Sequence, residues 1–553
     1  MSLTRIRPNG SVAVLGAGIS GLSFAYFLNK LRPDVKITLY EQNTRPGGWI
    51  NTDKVAASEV AREPVLFEKG PRTLRGVSEG TLLIVDMLKQ LGKAPEIEVM
   101  SRNSVANNKY ILGGGGDELV KVGSFRFHLG DLTAGLIRAV VGEPFRRGEK
   151  LPVDESIESF VKRRFGSTAL SDNVLSAVFH GIYAGDVARL SARSVIPAMV
   201  EMERAHGSIF MAMVKKCFGA KSHQSGHKLG GGSGLSQSLQ EYEKRISQHS
   251  DLQGVASQLS KFPVLRLQGG LQELPNAVAN HLESCDNVNI VYGAPVAAIS
   301  KSPSGDQVCV RMSDGGESSF DHFRSTINTK TLANLLAADS SSPLRKLPYV
   351  SVLLVNVYSK STPLIPQNCH GFGFLVPKKA ANPERLLGVI FDSDIAQNVE
   401  PFHKDKETSS SSTTASGSGS SNSITLMFGG HFYNQQDPPM SSSMRMRIVR
   451  EVLQSKLDVD LAGLRMVDLD THRKTNSGPD RAVADTDILV SFNYHQDCIP
   501  QYEVGYSALA AEVEEQLHSE FKGTVSLGGM AFGNGIGVPD CVQNGLEDAL
   551  KLA

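Results

Sequence analysis

The residues Gly16-Ala17-Gly18-Ile19-Ser20-Gly21 place three glycines at GxGxxG spacing, and Glu41 follows about 20 residues later. The chemistry of that set is nucleotide binding. The first glycine permits a tight turn, the second admits a pyrophosphate close to the backbone, and the third lets a helix pack on a strand. The N–H groups of the helix start then face the phosphates. An acid at Glu41 accepts hydrogen bonds from a ribose 2′-hydroxyl, which suits FAD or NAD and disfavours NADP. Farther along, Gly528-Gly529 and Gly533-Asn534-Gly535-Ile536-Gly537-Val538-Pro539 form a second glycine-rich turn feeding a helix from Val542. Such a helix start receives an anion or a polarised carbonyl.

These groups need a βαβ unit to hold them. An apolar run (VAVL), the glycine turn, an amphipathic stretch (SGLSFAYFLNKL), a Pro-Asp break and a second apolar run (KITLY) supply it between Ser11 and Glu41. A helix begins between Gly80 and Gly92, helical patterns recur over Val153 to Phe165 and Asn173 to Met213, and short strands are predicted near Lys109 and Gly123. Two stretches read as poor structure, 216–258 and 404–423, the second rich in Ser, Gly and Thr that cannot offset the entropy of ordering.

At 553 residues the chain is too long for one core, so two or three domains are expected. Lys plus Arg and Asp plus Glu each number 57, and this zero net charge offers no global argument for a nucleic-acid partner. The six cysteines (Cys217, Cys285, Cys309, Cys369, Cys498, Cys541) are scattered without CxxC pairs or histidines at ligand spacing, so reduced structural thiols and no metal are expected. No apolar window reaches the ~18 residues of a spanning helix. Arg5 and Arg7 lead at once into an apolar strand, which leaves no separable leader in the pattern.

Arg45-Pro46-Gly47-Gly48-Trp49-Ile50, following Glu41 as E…RxGG, resembles the signature of the amine oxidase, phytoene desaturase and protoporphyrinogen oxidase flavoprotein superfamily. Within it, the runs FEKGPRTLR from Phe67, GIYAGD from Gly181 with Leu190-Ser191, GFGFLVP from Gly371, and IPQY from Ile499 with Gly505 resemble the protoporphyrinogen oxidase family. That resemblance implies an α/β (mixed α+β) fold of p-hydroxybenzoate hydroxylase/monoamine oxidase-like architecture. It comprises a discontinuous Rossmann-like FAD domain (1–80, 262–330, 515–553), a mostly helical membrane-association domain (81–213), a low-complexity connector (214–261) and a mixed-sheet substrate domain (331–514) interrupted at 404–423.

By the same resemblance FAD is held by Gly16, Ala17, Gly18, Ile19, Ser20, Gly21, Glu41, Gln42, Arg45, Gly47, Gly48, the sole tryptophan Trp49, Gly70, Pro71, Arg72, Thr73, Val296, Gly528, Gly537 and Val538. Substrate is met by Arg72, whose forked cation suits a propionate. Phe372 and Leu332 sandwich a pyrrole, and the Gly181 carbonyl faces the pyrrole N–H groups. The implied activity is six-electron oxidation of protoporphyrinogen IX in three flavin cycles, with O2 as acceptor and hydrogen peroxide as product. No general base is identified; His180, next to Gly181, is read as a packing or surface residue. Peripheral attachment to the inner mitochondrial membrane facing the intermembrane space, contact with ferrochelatase and a homodimer are further family implications. Arg146-Arg147 and Lys162-Arg163-Arg164 are candidate lipid contacts. The chain departs from the family at Tyr506, where a His is expected, and in insertions at Gly230 and Ser409. The rival readings are an amine oxidase or carotenoid desaturase, with a cationic or polyene substrate, and a non-catalytic module like the Rab GDP-dissociation inhibitors.

Overall fold

A computed structural model of the chain describes residues 5–55, 65–76, 78–116, 118–123, 142–146, 152–218, 235–246, 251–402, 422–433, 441–475 and 485–553. The expected Gly/Ser insertion around Gly230, Arg147, and nearly all of 404–423 lie outside these residues.

The opening βαβ unit forms as its pattern predicts. Strand Ser11–Leu15 pairs in parallel with Lys36–Tyr40, Val12 opposite Ile37 and Val14 opposite Leu39, and helix Ile19–Leu31 connects them. The parallel sheet is completed by Val288–Val291 outside Lys36–Tyr40, and by His322–Ser325 and Val525–Leu527 on the other side. Its strands therefore come from three separated stretches of chain. Helix Val538–Leu552 returns to pack on Ile19–Leu31, and a buried ion pair fastens it: Arg324 Nη2 lies 2.6 Å from Asp548 Oδ2 while the guanidinium covers the Phe24 ring.

A second, eight-stranded mixed sheet is built around the long strands Tyr349–Ser359 and Ile488–Pro500. Because strand side chains alternate, Leu353, Val355 and Val357 face helix Ser442–Leu457 on one side. Val352, Leu354 and Asn356 face the other way, where Ala184, Met427 and Cys498 meet them. This inner face positions the candidate site. Beside it, helices Ile157–Phe165, Ser176–Tyr183, Pro197–His206 and Ile209–Phe218 enclose a separate core of Ile157, Phe160, Val161, Phe165, Phe179 and Tyr183.

Two expectations are corrected. Part of the stretch read as poor structure folds into helices Gln237–Arg245 and Leu252–Leu259, with Leu239, Tyr242, Leu252 and Leu259 buried in the core of the first sheet. These few apolar residues at helical spacing bury enough surface, although the surrounding Ser and Gln mask the pattern. Helix Glu79–Gln90, expected to open the helical region, also joins that first core through Leu82, Leu83 and Met87, because it is apolar nearly all round. No helix among the described residues is long and apolar enough to cross a membrane, and no group of residues there could hold a metal ion.

Candidate active site

At the first turn Gly16 donates its N–H to the Tyr40 carbonyl (2.9 Å), and a Cβ on Gly21 would collide with the Gly16 carbonyl oxygen, so the third glycine is sterically required. Gly18 caps helix Ile19–Leu31 with no side-chain hydrogen bond, which leaves the N–H groups of Ile19, Ser20 and Gly21 for an anion. The second glycine run lies alongside: Gly18 bridges Gly47, and Gly47 donates to the Ala17 carbonyl (2.8 Å).

Glu41 is 5% exposed and its carboxylate is oriented from both sides. Oε2 accepts from the Ala17 N–H (2.9 Å), and Oε1 accepts from Asn43 N–H and Nδ2 (2.9 and 2.7 Å). Gln42 is exposed beside it, and Val296 is half-buried just after Ala294, whose N–H donates to the Glu41 carbonyl (3.1 Å). Arg45 donates to the carbonyls of Pro46, Ile50 and Gly48, so its guanidinium clasps its own loop, and burial holds its pKa below the usual arginine value.

Trp49 is 41% exposed and meets His495 edge-on at 5.1 Å between ring centres. His495 Nε2 lies 2.5 Å from the Lys69 carbonyl, and burial lowers its pKa. Gly70 follows; Pro71 is exposed and Thr73 half-buried around Arg72. At the C-terminal side Gly528 lies directly over Arg324, where a Cβ would meet the guanidinium, while Gly537 and Val538 begin the last helix. Asp540 Oδ2 accepts the Gly537 N–H (3.0 Å).

On the inner face of the large sheet the motif runs meet. Arg72 Nη1 ion-pairs with Asp392 Oδ1 (2.5 Å), and Asp392 Oδ2 accepts from Thr425 Oγ1 (2.7 Å). Asn356 Nδ2 donates to Thr425 Oγ1 (2.9 Å) and to the Glu68 carbonyl (3.1 Å), and burial raises the Glu68 carboxyl pKa. Phe372 is half-buried; its carbonyl accepts from Phe391 N–H (3.0 Å), next to Asp392, and Gly371 N–H donates to Asp394 Oδ2 (2.7 Å). Gly181 is exposed in the last turn of helix Ser176–Tyr183. That helix end is tied to two other runs, by Gln501 Nε2 donating to the Tyr183 carbonyl (2.9 Å) and by His180 Nδ1 against the Val376 carbonyl (2.7 Å).

Leu332 is placed differently. It is 1% exposed inside the core with Leu15, Phe323 and Val513, while Phe372 belongs to a cluster with Met100, Ala106 and Ile395, so the two do not face each other here. The helical spacing of Leu332 within Thr329–Leu335 turns it onto the parallel sheet. His180 is a packing residue: its ring lies against His431 (4.8 Å), and burial lowers both pKa values, His431 to about 4. Tyr506, the departure, stacks on Tyr502 (4.2 Å, 19° between planes) and donates to the Ala531 carbonyl (2.7 Å), while Tyr502 donates to that of Met530.

Sequence reasoning missed Asp392, Asn356, Thr425 and His495. One signal was available, an asparagine inside the apolar strand YVSVLLVNVYS, where an unpaired amide is costly.

A parallel sheet with an uncapped glycine turn, an oriented acid and a second glycine-rich helix start defines an FAD-dependent oxidoreductase, and the chain belongs to the flavin-containing amine oxidoreductase family, whose model matches residues 19–550. It is 37% identical to the protoporphyrinogen oxidase of Saccharomyces cerevisiae over 567 aligned positions, covering 100% of this chain and 99% of that one. The Schizosaccharomyces pombe protoporphyrinogen oxidase is 28% identical, with 98% of each chain covered. These full-length identities place the chain in the protoporphyrinogen oxidase family. Among solved structures, a candidate protoporphyrinogen oxidase from Exiguobacterium superposes with a TM-score of 0.67 at 18% identity, covering 98% of this chain and 99% of that one.

Proposed function

We propose that this chain oxidises protoporphyrinogen IX to protoporphyrin IX, the penultimate step of haem synthesis, in three two-electron rounds with O2 as acceptor and H2O2 as product. The reading is carried by one observation: Arg72, 8% exposed, stands where the loop after strand Val65–Glu68 meets the inner face of the large sheet. A permanently charged fork beside an apolar wall suits a flat macrocycle with carboxylate arms. FAD, when bound, supplies the two-electron acceptor of each round.

Each of the motif residues then has a distinct task. The glycine turn and Glu41 would hold the dinucleotide part, and the C-terminal turn at Gly528, Gly537 and Val538 would close on the flavin. Arg72 would hold a propionate, Phe372 would lie against a ring, and the Gly181 carbonyl, one of the last-turn carbonyls without an intrahelical partner, would accept from pyrrole N–H groups. Orientation is the protein's main contribution.

The setting we infer is the mitochondrial inner membrane, on the intermembrane-space side, as a peripheral homodimer that passes its apolar product to ferrochelatase. Phe145 (85% exposed) and Val153 (80%) support a lipid contact, with Arg146, Arg193 and Lys162 exposed nearby. Arg163 and Arg164 are not part of it, since they pair internally with Glu155, Glu203 and Glu143.

Anaerobic addition of protoporphyrinogen IX to the purified yellow protein tests the reading. Bleaching at the flavin band, then porphyrin fluorescence and peroxide once air enters, is the expected result. A flavin that stays oxidised would overturn the substrate assignment.

A further inference from the structure

We infer that His495 is the general base of the oxidation, taking up through Nδ1 the pyrrole proton that each round releases. The inference rests on the substrate reading above and supplies a residue that reading lacks.

Strand register and one hydrogen bond fix where that nitrogen lies. His495 stands directly opposite Val352 in the antiparallel pair of long strands, so its side chain shares the inner face with Val352 and Leu354. From there its ring meets Trp49 edge-on. The Trp49 loop belongs to the cofactor cradle, because Gly47, two residues earlier, bridges Gly18. A Cβ on Gly70 would strike the Trp49 carbonyl oxygen, so the Lys69–Gly70 turn lies on the same loop. His495 thus joins the FAD turn to the apolar wall of the sheet.

The Lys69 carbonyl can only accept, so Nε2, 2.5 Å from it, carries a proton. In the neutral ring Nδ1 is then a lone-pair acceptor. It has no hydrogen-bond partner among the described residues and is not sealed in the interior, since the residue is only half-buried. Other histidines are closed: His431 buries both ring nitrogens, and His322, 1% exposed, is held by the Ser526 hydroxyl. Burial, then the cations Lys69 and Arg45 on the two loops packed against the ring, hold the His495 pKa below the usual histidine value. Lys69 itself pairs with Asp53, which Arg473 shares. At neutral pH the ring is uncharged and able to accept.

Each round then balances. A C–H bond at a methylene bridge breaks, its hydrogen and both electrons leaving as hydride to FAD. A pyrrole N–H bond breaks, its electron pair stays in the macrocycle as part of a new double bond, and the proton forms an N–H bond at Nδ1. His495 passes that proton to water before the next round, while O2 takes the hydride and a proton from water to leave as H2O2.

The test follows flavin reduction in anaerobic holoenzyme, at low and at saturating protoporphyrinogen IX, across about pH 5 to 8. His495→Gln keeps a donor for the Lys69 carbonyl and removes the base. It should retain FAD, lower the rate at saturation about 100-fold or more with little change in the half-saturating concentration, and abolish the acid-side fall in rate. Imidazole added to His495→Ala should restore part of the rate. The parent protein supplies a readout free of turnover. Protonated imidazole quenches a neighbouring indole, so the sole tryptophan, Trp49, should dim as pH falls, and His495→Gln should lose that step. In the parent, this dimming and the fall in rate at low substrate should share one apparent pKa. A loss of only a few fold, an acid-side fall kept in His495→Gln, or two different pKa values in the parent would overturn the proposal. Where His495→Gln sheds FAD, the two parent pKa values decide. A parent flavin that protoporphyrinogen leaves oxidised sinks the substrate reading itself, and this assignment with it.

Discussion

Gly21 and Arg72 make different demands on a single residue. At Gly21 the demand is for absence, because any Cβ would strike the Gly16 carbonyl. Gly21→Ala should therefore shift helix Ile19–Leu31 away from the strand, and purified protein should lose most of its absorbance near the flavin band relative to the protein band. At Arg72 the demand is for charge. Arg72→Ala should keep flavin yet lower kcat/KM by about 100-fold or more, since a charge-assisted bidentate contact is lost. It should also cost about 1–3 kcal/mol of stability, because Asp392 loses its cationic partner and keeps only the Thr425 hydroxyl. Full flavin with unchanged kinetics would exclude Arg72 from substrate binding.

Two of the elements are held by pairs that lie far apart in the chain. Arg324, 0% exposed, joins the fourth strand of the parallel sheet to the last helix through Asp548. Arg324→Met leaves that buried carboxylate with only Lys551, and should destabilise by about 3–5 kcal/mol, read as a fall in the urea midpoint. The Tyr502–Tyr506 stack connects the helical unit to the turn before Gly537: Tyr502 accepts the Ser191 N–H at its carbonyl, and both hydroxyls donate to carbonyls of Met530 and Ala531. Burial pushes the Tyr506 hydroxyl up to about 12, so it remains a donor throughout the working pH range. Tyr506→Phe keeps the stack and removes one hydrogen bond worth about 0.5–1.5 kcal/mol. Flavin release on heating should then come earlier relative to unfolding; the same gap as in the parent would argue against a grip on the turn.

Over the whole molecule, buried histidines add to the loss of stability in acid. Desolvation lowers His322 to about 3, below the ordinary 6.5, with Arg324 adding to the effect. The unfolded chain therefore takes up a proton that the folded one refuses. This contribution to stability is complete above pH 6.5 and is lost progressively as pH falls towards 3. The apparent Tm should drop between pH 7 and 4.5, and His322→Asn should flatten that drop; an equal slope would assign it to other groups. The exposed Phe145 predicts a separate property, flotation with anionic vesicles that Phe145→Asp reduces.

Local chemistry made the cofactor cradle legible from sequence. A glycine that only a tight turn requires, an acid at the end of the next strand and a glycine-rich helix start are consequences of neighbours within about 20 residues. Gly16 to Gly21 and Glu41 accordingly sit where the pattern put them. The helices at Gln237–Arg245 and Leu252–Leu259 escaped because composition hid their few apolar contacts. The family resemblance implies a pocket position for Leu332, yet its exposure depends on how helix Thr329–Leu335 rotates against a sheet assembled from distant strands. Asp392 lies 320 positions from Arg72 along the chain, and Thr425 and Asn356 complete the chain of donors only through strand register. No local pattern encodes that meeting. Sequence determined which residue types bind a dinucleotide and where; only tertiary packing decided which carboxylate faces Arg72, because burial and register are properties of the assembled sheets.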